Sequence, residues 1–275
     1  AYHKDFMQVT ESLQEDLFQE LKGRIKEDDQ SVPYQKHGYW YYVRYNKGQE
    51  HPLYCRKKGS LQAEEEILID ANIEAKNHSY YQIGGLSISP NNQWIAYGVD
   101  TLSRRIYTIH FKNLLTGEVL ERKINETTGS CTWSADSSYV FYTTKDDTLR
   151  PHKIFRHRFD SKDQAPFQDL EIFHEEDSTF VCNVYKSKSE DYILIGSFST
   201  LSNEFRFIKS DQPESDFSII QPRKQDLEYS VAHFGEHWYI RTNYQAAENF
   251  KLMRCPIYQS LCENWEEVIP HREDV

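Results

Sequence analysis

A serine nucleophile is the first chemistry for which the sequence can be searched. In α/β-hydrolases this serine lies in the pattern G-x-S-x-G, on a strained turn between a strand and a helix. The nearest stretches are Gly84-Gly85-Leu86-Ser87 and Gly196-Ser197-Phe198-Ser199, and neither has this pattern. Both fall in segments that the neighbouring residues predict to be strands. We therefore predict that the chain carries no catalytic residues of its own.

Histidine and cysteine spacing gives no metal site. His233 and His237 are four residues apart with Glu236 between them, a spacing that aligns two ligands when it falls on a helix. Gly235 breaks this segment between two strands, which favours structural or solvent-facing histidines. The 5 cysteines are odd in number and contain no C-x-x-C pair, so we expect free, buried thiols in a reducing compartment. No Gly-rich phosphate loop is present, and we expect neither metal nor cofactor.

The charge balance is acidic. Lys and Arg total 32 against 43 Asp and Glu, a net charge of −11, which argues against nucleic acid as a partner because phosphate binding needs a basic face. Two acidic runs, Glu64-Glu65-Glu66 and Glu175-Glu176-Asp177, fall at the ends of predicted strands. They are either solvated loops or an acidic rim that attracts short basic peptides.

Three arginines could contact another domain. Arg104 and Arg105 precede a predicted strand that starts at Tyr107, and Arg150 lies in the block Leu149-Arg150-Pro151. A guanidinium can hold a carboxylate across a domain interface through a bidentate pair. The alternative is an ordinary solvated arginine, since most surface ion pairs contribute little.

The elements that position these residues begin with a helix. Apolar residues recur at steps of three or four and share one helical face; they are Phe6, Val9, Leu13, Leu17 and Leu21. Pro33 excludes a longer helix. We assign residues 1–30 to this helix and its linker, and expect Leu13 and Leu17, in the middle of the stripe, to be buried.

Residues 31–275 predict short strands. An aromatic residue in or near the start of the second strand of each unit recurs at intervals of roughly 45 to 55 residues, the period of a β-propeller of four-stranded antiparallel blades. These residues are Trp40, Trp94, Tyr139, Tyr192 and Trp238. Within the second predicted blade, we place the last strand at 119–124. The fold is therefore predicted to be all-β, a partial propeller of about five blades; an unrepeated β-sandwich is the alternative.

Several blocks resemble one peptidase family. Tyr54-Cys55-Arg56-Lys57-Lys58-Gly59, Leu149-Arg150-Pro151-His152 and Ile269-Pro270-His271-Arg272 are similar to the oligopeptidase B (protease II) branch of the prolyl oligopeptidase family. They occur in family order over nearly the whole chain. The resemblance implies a seven-bladed propeller joined to an α/β-hydrolase domain that carries Ser, Asp and His. Five blades would leave about two blades and the hydrolase domain beyond residue 275.

The resemblance implies a function for the whole protein. Members of this branch hydrolyse short peptides after Arg or Lys, and their propeller admits only small substrates. We expect this chain to gate access, to scaffold the hydrolase domain and to be inactive alone. A stand-alone propeller that binds protein partners is the alternative, and the reading frame beyond Val275 distinguishes the two. We expect a cytoplasmic protein, with a periplasmic location left open, and no apolar run approaches the about 20 residues that span a bilayer.

Overall fold

The computed structural model describes residues 2–160, 162 and 169–274. The chain divides into two compact units, residues 1–78 and 79–275. The first unit contains both the N-terminal helices and the first sheet, so the predicted division at residue 30 falls inside it. Both units contain antiparallel sheets, and the first contains the α-helices as well.

The first unit opens with two helices, α1 (Tyr2–Met7) and α2 (Glu11–Gly23), separated by a 3₁₀ turn over Gln8–Thr10. The expectation that Leu13 and Leu17 are buried is wrong for this chain, since 57% and 48% of their surfaces are exposed. No residue of either helix is buried, because nothing in the described part of this unit covers the apolar stripe. No described helix combines the length and the apolar character needed to cross a bilayer.

A four-stranded antiparallel sheet completes the first unit. Its strands follow chain order: β1 (Tyr34–Lys36), β2 (Tyr39–Arg44), β3 (Leu53–Lys58) and β4 (Glu65–Asp70). Strand β1 was not predicted; it is only three residues long and all three are exposed. A short helix, α3 (Ala71–Glu74), follows at once. The Asp70 carboxylate accepts hydrogen bonds from the backbone of Asn72 and Ile73 and so caps this helix.

In the second unit, the described residues form the remaining fifteen strands. They are β5 (Gln82–Ile88), β6 (Trp94–Asp100), β7 (Tyr107–Asn113), β8 (Ile124–Trp133), β9 (Tyr139–Lys145), β10 (Pro151–Arg158), β11 (Asp169–His174), β12 (Val181–Lys186), β13 (Tyr192–Phe198), β14 (Asn203–Lys209), β15 (Ser218–Gln221), β16 (Tyr229–Phe234), β17 (His237–Thr242), β18 (Lys251–Pro256) and β19 (Glu266–Ile269). Neighbours along the chain pair throughout, giving sheets of seven, four and four strands.

The seven-stranded sheet is two blades that share β8. The start of β8 pairs with β7, where Ile124 lies opposite Ile109, and its end pairs with β9, where Trp133 lies opposite Val140. Gly129, at φ +91°, lies between the two pairings. With these two blades, the described residues form five four-stranded blades, which confirms the predicted fold class. The predicted strand at 119–124 is wrong, because Val119 forms only an isolated bridge with Lys112 and regular pairing resumes at Ile124.

Alternation of side chains explains how the blades of the second unit stack. In β9, Val140 and Tyr142 pack on the blade before it, whereas Phe141 between them packs on the blade after it. Successive residues of a strand point to opposite faces, so a strand covered on both faces is mostly apolar. Six of the seven residues of β13 are accordingly buried, and the first four of them alternate between two apolar clusters.

A buried serine fixes the turn between the first two strands of three blades. Ser134 Oγ accepts the backbone N–H of Tyr139 at 2.9 Å and donates to the Asp136 carboxylate at 2.6 Å. Ser89 and Ser187 make the corresponding bonds in the neighbouring blades. The residue three positions after each serine adopts a left-handed conformation; these residues are Asn92, Ser137 and Glu190. The aromatic residue that revealed the repeat therefore marks the point where each turn ends.

The 5 cysteines are free thiols. Burial raises the pKa of Cys131, Cys182 and Cys255 to about 12. Four of the five are buried and Cys131 is half-buried, and protonated thiols of this kind pack as small apolar side chains.

Candidate functional site

One end of the second unit collects the three arginines and one of the two acidic runs that sequence analysis singled out. In a four-stranded antiparallel blade, the loop between the second and third strands and the connection to the next blade emerge at the same end. We call this the arginine end. It carries the loops 101–106, 146–150, 199–202 and 243–250 and the connections 175–180 and 222–228.

Arg104 and Arg105 lie at the arginine end, in the loop between β6 and β7. Both side chains are exposed. The loop turns around the carboxylate of Asp100, which is only 1% exposed and accepts the backbone N–H groups of Leu102 and Arg105 at 2.8 and 2.7 Å. Contact of the two arginines with a second domain stays a prediction, and their position is compatible with it.

Arg150 is used inside the chain. Its Nε donates to Asp146 Oδ2 at 3.0 Å, and its Nη1 lies 3.3, 3.1 and 2.8 Å from the carbonyl oxygens of Glu175, Asp177 and Phe180. The guanidinium thus ties the 146–150 loop to the connection between two blades. Its predicted contact with a second domain remains untested, whereas its internal structural contribution is clear.

A buried ion-pair network at the arginine end escaped sequence analysis. Arg223 binds the Glu175 carboxylate with both terminal nitrogens, at 2.6 and 3.3 Å, and stacks 3.9 Å from the centre of the Phe180 ring. Its backbone N–H donates to Glu204 Oε2 at 3.1 Å, and Arg206 lies 2.6 Å from the other Glu204 oxygen. Both carboxylates are buried. The network links three blade segments that lie far apart in sequence.

Arginines form ion pairs with three of the six carboxylates in the two acidic runs. In the first, Arg44 binds Glu65 at 2.7 Å and lowers the pKa of that carboxyl to about 2, and Arg56 binds Glu66 at 2.7 Å. In the second, Glu175 is buried as described, so solvated loops or an acidic rim can be formed only by the remaining members of each run. The sequence analysis did not predict this pairing, because the arginines that bind these carboxylates come from other segments of the chain.

The residues searched for catalytic and metal chemistry lie in structural positions. Ser87 and Ser197 lie within antiparallel strands, β5 and β13. The buried His233 ring has Gly235 O 2.8 Å from Nε2 and Ser189 Oγ 2.8 Å from Nδ1, and His237 begins the next strand. Within residues 2–160, 162 and 169–274, no three His, Cys, Asp or Glu side chains are placed to hold a metal ion.

Comparison with known proteins identifies the architecture. The family model described as "Prolyl oligopeptidase, N-terminal beta-propeller domain" matches residues 1–275. Dipeptidyl aminopeptidase BI of Pseudoxanthomonas mexicana is 35% identical over 291 residues, which cover 100% of this chain and 40% of that protein. Protease 2 of Moraxella lacunata is 30% identical over 263 residues, which cover 93% of this chain and 38% of that protein.

Comparison with solved structures agrees with the family match. Oligopeptidase B from Leishmania major superimposes with a TM-score of 0.89 at 30% identity, over 99% of this chain and 38% of that one. The chain therefore spans about two fifths of the length of these relatives. Together, the blades of the structure, the family match and the relatives show that the chain belongs to the prolyl oligopeptidase family and corresponds to its N-terminal β-propeller domain.

Proposed function

We propose that this chain is the propeller portion of a serine oligopeptidase that hydrolyses short peptides after Arg or Lys. In this proposal the chain scaffolds an α/β-hydrolase domain and restricts access by size. Family membership supports the peptidase assignment, and the names of two relatives, Protease 2 and oligopeptidase B, support the branch. The acidic net charge of −11 favours approach of basic peptides.

The observation that carries the scaffolding function is the uncovered apolar stripe of α1 and α2. Phe6, Val9, Leu13, Leu17 and Leu21 all remain exposed. Contiguous exposed apolar surface of this kind marks an interaction site. Since the relatives are about two and a half times as long as this chain, we propose that the hydrolase portion of the same polypeptide covers the stripe.

Activity distinguishes the propeller from the whole enzyme. We expect the full-length protein to release the fluorophore from a short peptide amide that ends in Arg or Lys, and not from the same peptide ending in Glu. Residues 1–275 alone should give no turnover, because the chain has no G-x-S-x-G elbow. The full-length enzyme should leave folded proteins intact. Turnover by the repurified fragment that a serine-directed inhibitor abolishes would contradict the proposal, as would an inactive full-length protein.

The helix stripe gives a second test. In the full-length protein, Leu17→Ala should lower the free energy of unfolding by about 2 kcal/mol or more, the usual cost of truncating a buried leucine. In residues 1–275 the same change should have no destabilising effect, because Leu17 is exposed there and alanine favours helix. The measurement is denaturant unfolding of both proteins. Gln19→Ala, a polar and exposed position of the same helix, is the control; equal effects of Leu17→Ala in both proteins would exclude covering by the hydrolase portion.

A further inference from the structure

The loop between β6 and β7 exposes an unusual combination of side chains. Leu102 is 75% exposed and Ile106 is 41% exposed, and the two arginines between them, Arg104 and Arg105, are exposed as well. Two aliphatic and two cationic side chains thus share one short loop at the arginine end. None of the four contributes to the buried clusters of the unit.

The shape of this loop is fixed. Asp100, buried beneath it, binds the backbone N–H groups of Leu102 and Arg105. From the adjacent blade, the Lys145 ammonium donates to the carbonyl oxygen of Arg105. Ser103 and Arg105 adopt left-handed conformations, at φ 58° and 56°, which are unfavourable for residues other than glycine. Such strain persists where surrounding contacts hold it, often at binding sites.

The loop is also a positive spot on a negative chain. Arg104, Arg105 and Lys145 lie together there, on a chain of net charge −11. In the part of the chain that the structure describes, no carboxylate forms an ion pair with either arginine. The carboxylate of Asp100 is already occupied by backbone N–H groups. Burial, and then the nearby charge of Arg105, lower the pKa of Lys145, and the charge of Asp100 offsets this only in part.

Arg150, at the same end of the unit, differs from Arg104 and Arg105 in its partners. Its guanidinium has a carboxylate and three carbonyl oxygens as partners within the chain, so its donors are used internally. At the same end of the unit, the guanidinium groups of Arg104 and Arg105 have no ion-pair partner among the described residues. Charge complementarity therefore favours a partner surface that carries carboxylates. The exposed side chains of Leu102 and Ile106 favour apolar groups beside those carboxylates.

We propose that residues 102–106 form a docking loop for a carboxylate-bearing, partly apolar surface on the hydrolase portion of the same polypeptide. This inference rests on the proposed function and adds the chemistry of the partner. Arg104 and Arg105 hold carboxylates through charge-assisted hydrogen bonds, and Leu102 and Ile106 cover aliphatic groups. Asp100 and Lys145 act as positioning residues that present the loop in its binding shape. The occupant is the same polypeptide because relatives extend well beyond the matched region, which is only 40% and 38% of their length.

Charge reversal in the full-length protein tests the docking loop. In the double variant Arg104→Glu/Arg105→Glu, calorimetry should show two separate unfolding transitions where the wild type shows one. Hydrogen exchange of the peptide covering residues 101–106 should become faster by about tenfold, which corresponds to a tenfold shift of the docking equilibrium. Leu102→Ser, at a side chain that supports no buried contact, should shift both measurements in the same direction but less. Raised salt concentration should mimic the double variant in the wild type.

The control is Arg158→Glu/Lys162→Glu, an equal change of charge at exposed positions beyond the opposite end of a neighbouring blade. We expect it to match the wild type. Equal behaviour of the two double variants would overturn the docking loop even if the protein cleaves after Arg or Lys. Separate transitions in a protein without such activity would instead retain the docking loop and overturn the proposed function. A change of mass in light scattering, with docking unaltered, would identify a second copy as the occupant and contradict the proposal.

Discussion

Replacing Gly98 with alanine should lower the free energy of unfolding by about 3 kcal/mol, the upper part of the usual range for an overpacked core. An ideal Cβ at this position would lie 2.3 Å from Gly129 Cα and 2.4 Å from Gly129 O. Both are backbone atoms, so no side-chain rotation can relieve the overlap. Gly129 itself has little freedom to move, because its left-handed backbone lies against the Tyr107 ring. The cost arises where β8 crosses β6 on its way from one blade to the next.

The measurement is the midpoint of denaturant unfolding. Gly23→Ala is the control, because Gly23 ends α2 and a Cβ there would meet nothing within 4 Å. We expect that change to stabilise the chain slightly, by up to about 1 kcal/mol, since alanine favours helix. Gly85→Ala should resemble Gly98→Ala, with its Cβ 2.6 Å from Gly129 O. Unchanged midpoints for both β-strand variants would mean that β8 does not cross these strands as described.

The blades could be predicted because each repeats a local signal. Trp94, Tyr139 and Tyr192 each begin a strand directly after a serine-based turn, so one aromatic residue reports a whole unit. The alternation of apolar and polar residues along the sequence predicted further strands of each blade. The hydrogen bonds of the buried serine were not predicted, although a serine five residues before each of these aromatic residues is visible in the sequence.

Features that depend on distant segments could not be predicted in the same way. A helical N-terminal segment was predicted, although it is interrupted by a 3₁₀ turn over Gln8–Thr10. Periodicity does not say what covers its apolar residues, and Leu13 and Leu17 are exposed. The last strand of the second blade was placed at 119–124, because the sequence does not show that β8 serves two blades at once.

The arginines illustrate the same limit at the candidate site. Arg104, Arg105 and Arg150 look alike in sequence, as cations next to strands. The structure separates them, because the carbonyl oxygens that receive Arg150 belong to the connection 175–180. Glu175 was grouped with an acidic run, and its partner Arg223 is 48 residues away in sequence. A pairing across that separation leaves no local pattern.

Glu175→Gln should lower the free energy of unfolding at neutral pH by about 3 kcal/mol, as expected when one member of a buried ion pair loses its charge. The Glu175 carboxylate is buried and accepts hydrogen bonds from both terminal nitrogens of Arg223. The glutamine has nearly the same shape, so the change removes charge rather than volume. Arg223 would keep the Phe180 ring and a Glu204 oxygen 3.6 Å away, which only partly replace the lost carboxylate.

The pH dependence of this effect has a definite sign. Burial by itself would raise the pKa of Glu175, but the hydrogen bonds and charge of Arg223, together with hydrogen bonds from Ser197 and the Asp177 backbone, outweigh burial and hold the pKa below its ordinary value. An unfolded glutamate titrates at about pH 4.3. Because the folded pKa is lower, the carboxylate stabilises the chain fully above that pH, and this contribution is lost as the pH falls through the folded pKa. Unfolding free energies of the wild type and Glu175→Gln should therefore converge in acid. Glu176→Gln, at the exposed neighbouring position, should stay within about 0.5 kcal/mol of the wild type; a difference for Glu175→Gln that persists unchanged in acid would show that the ion pair is not its cause.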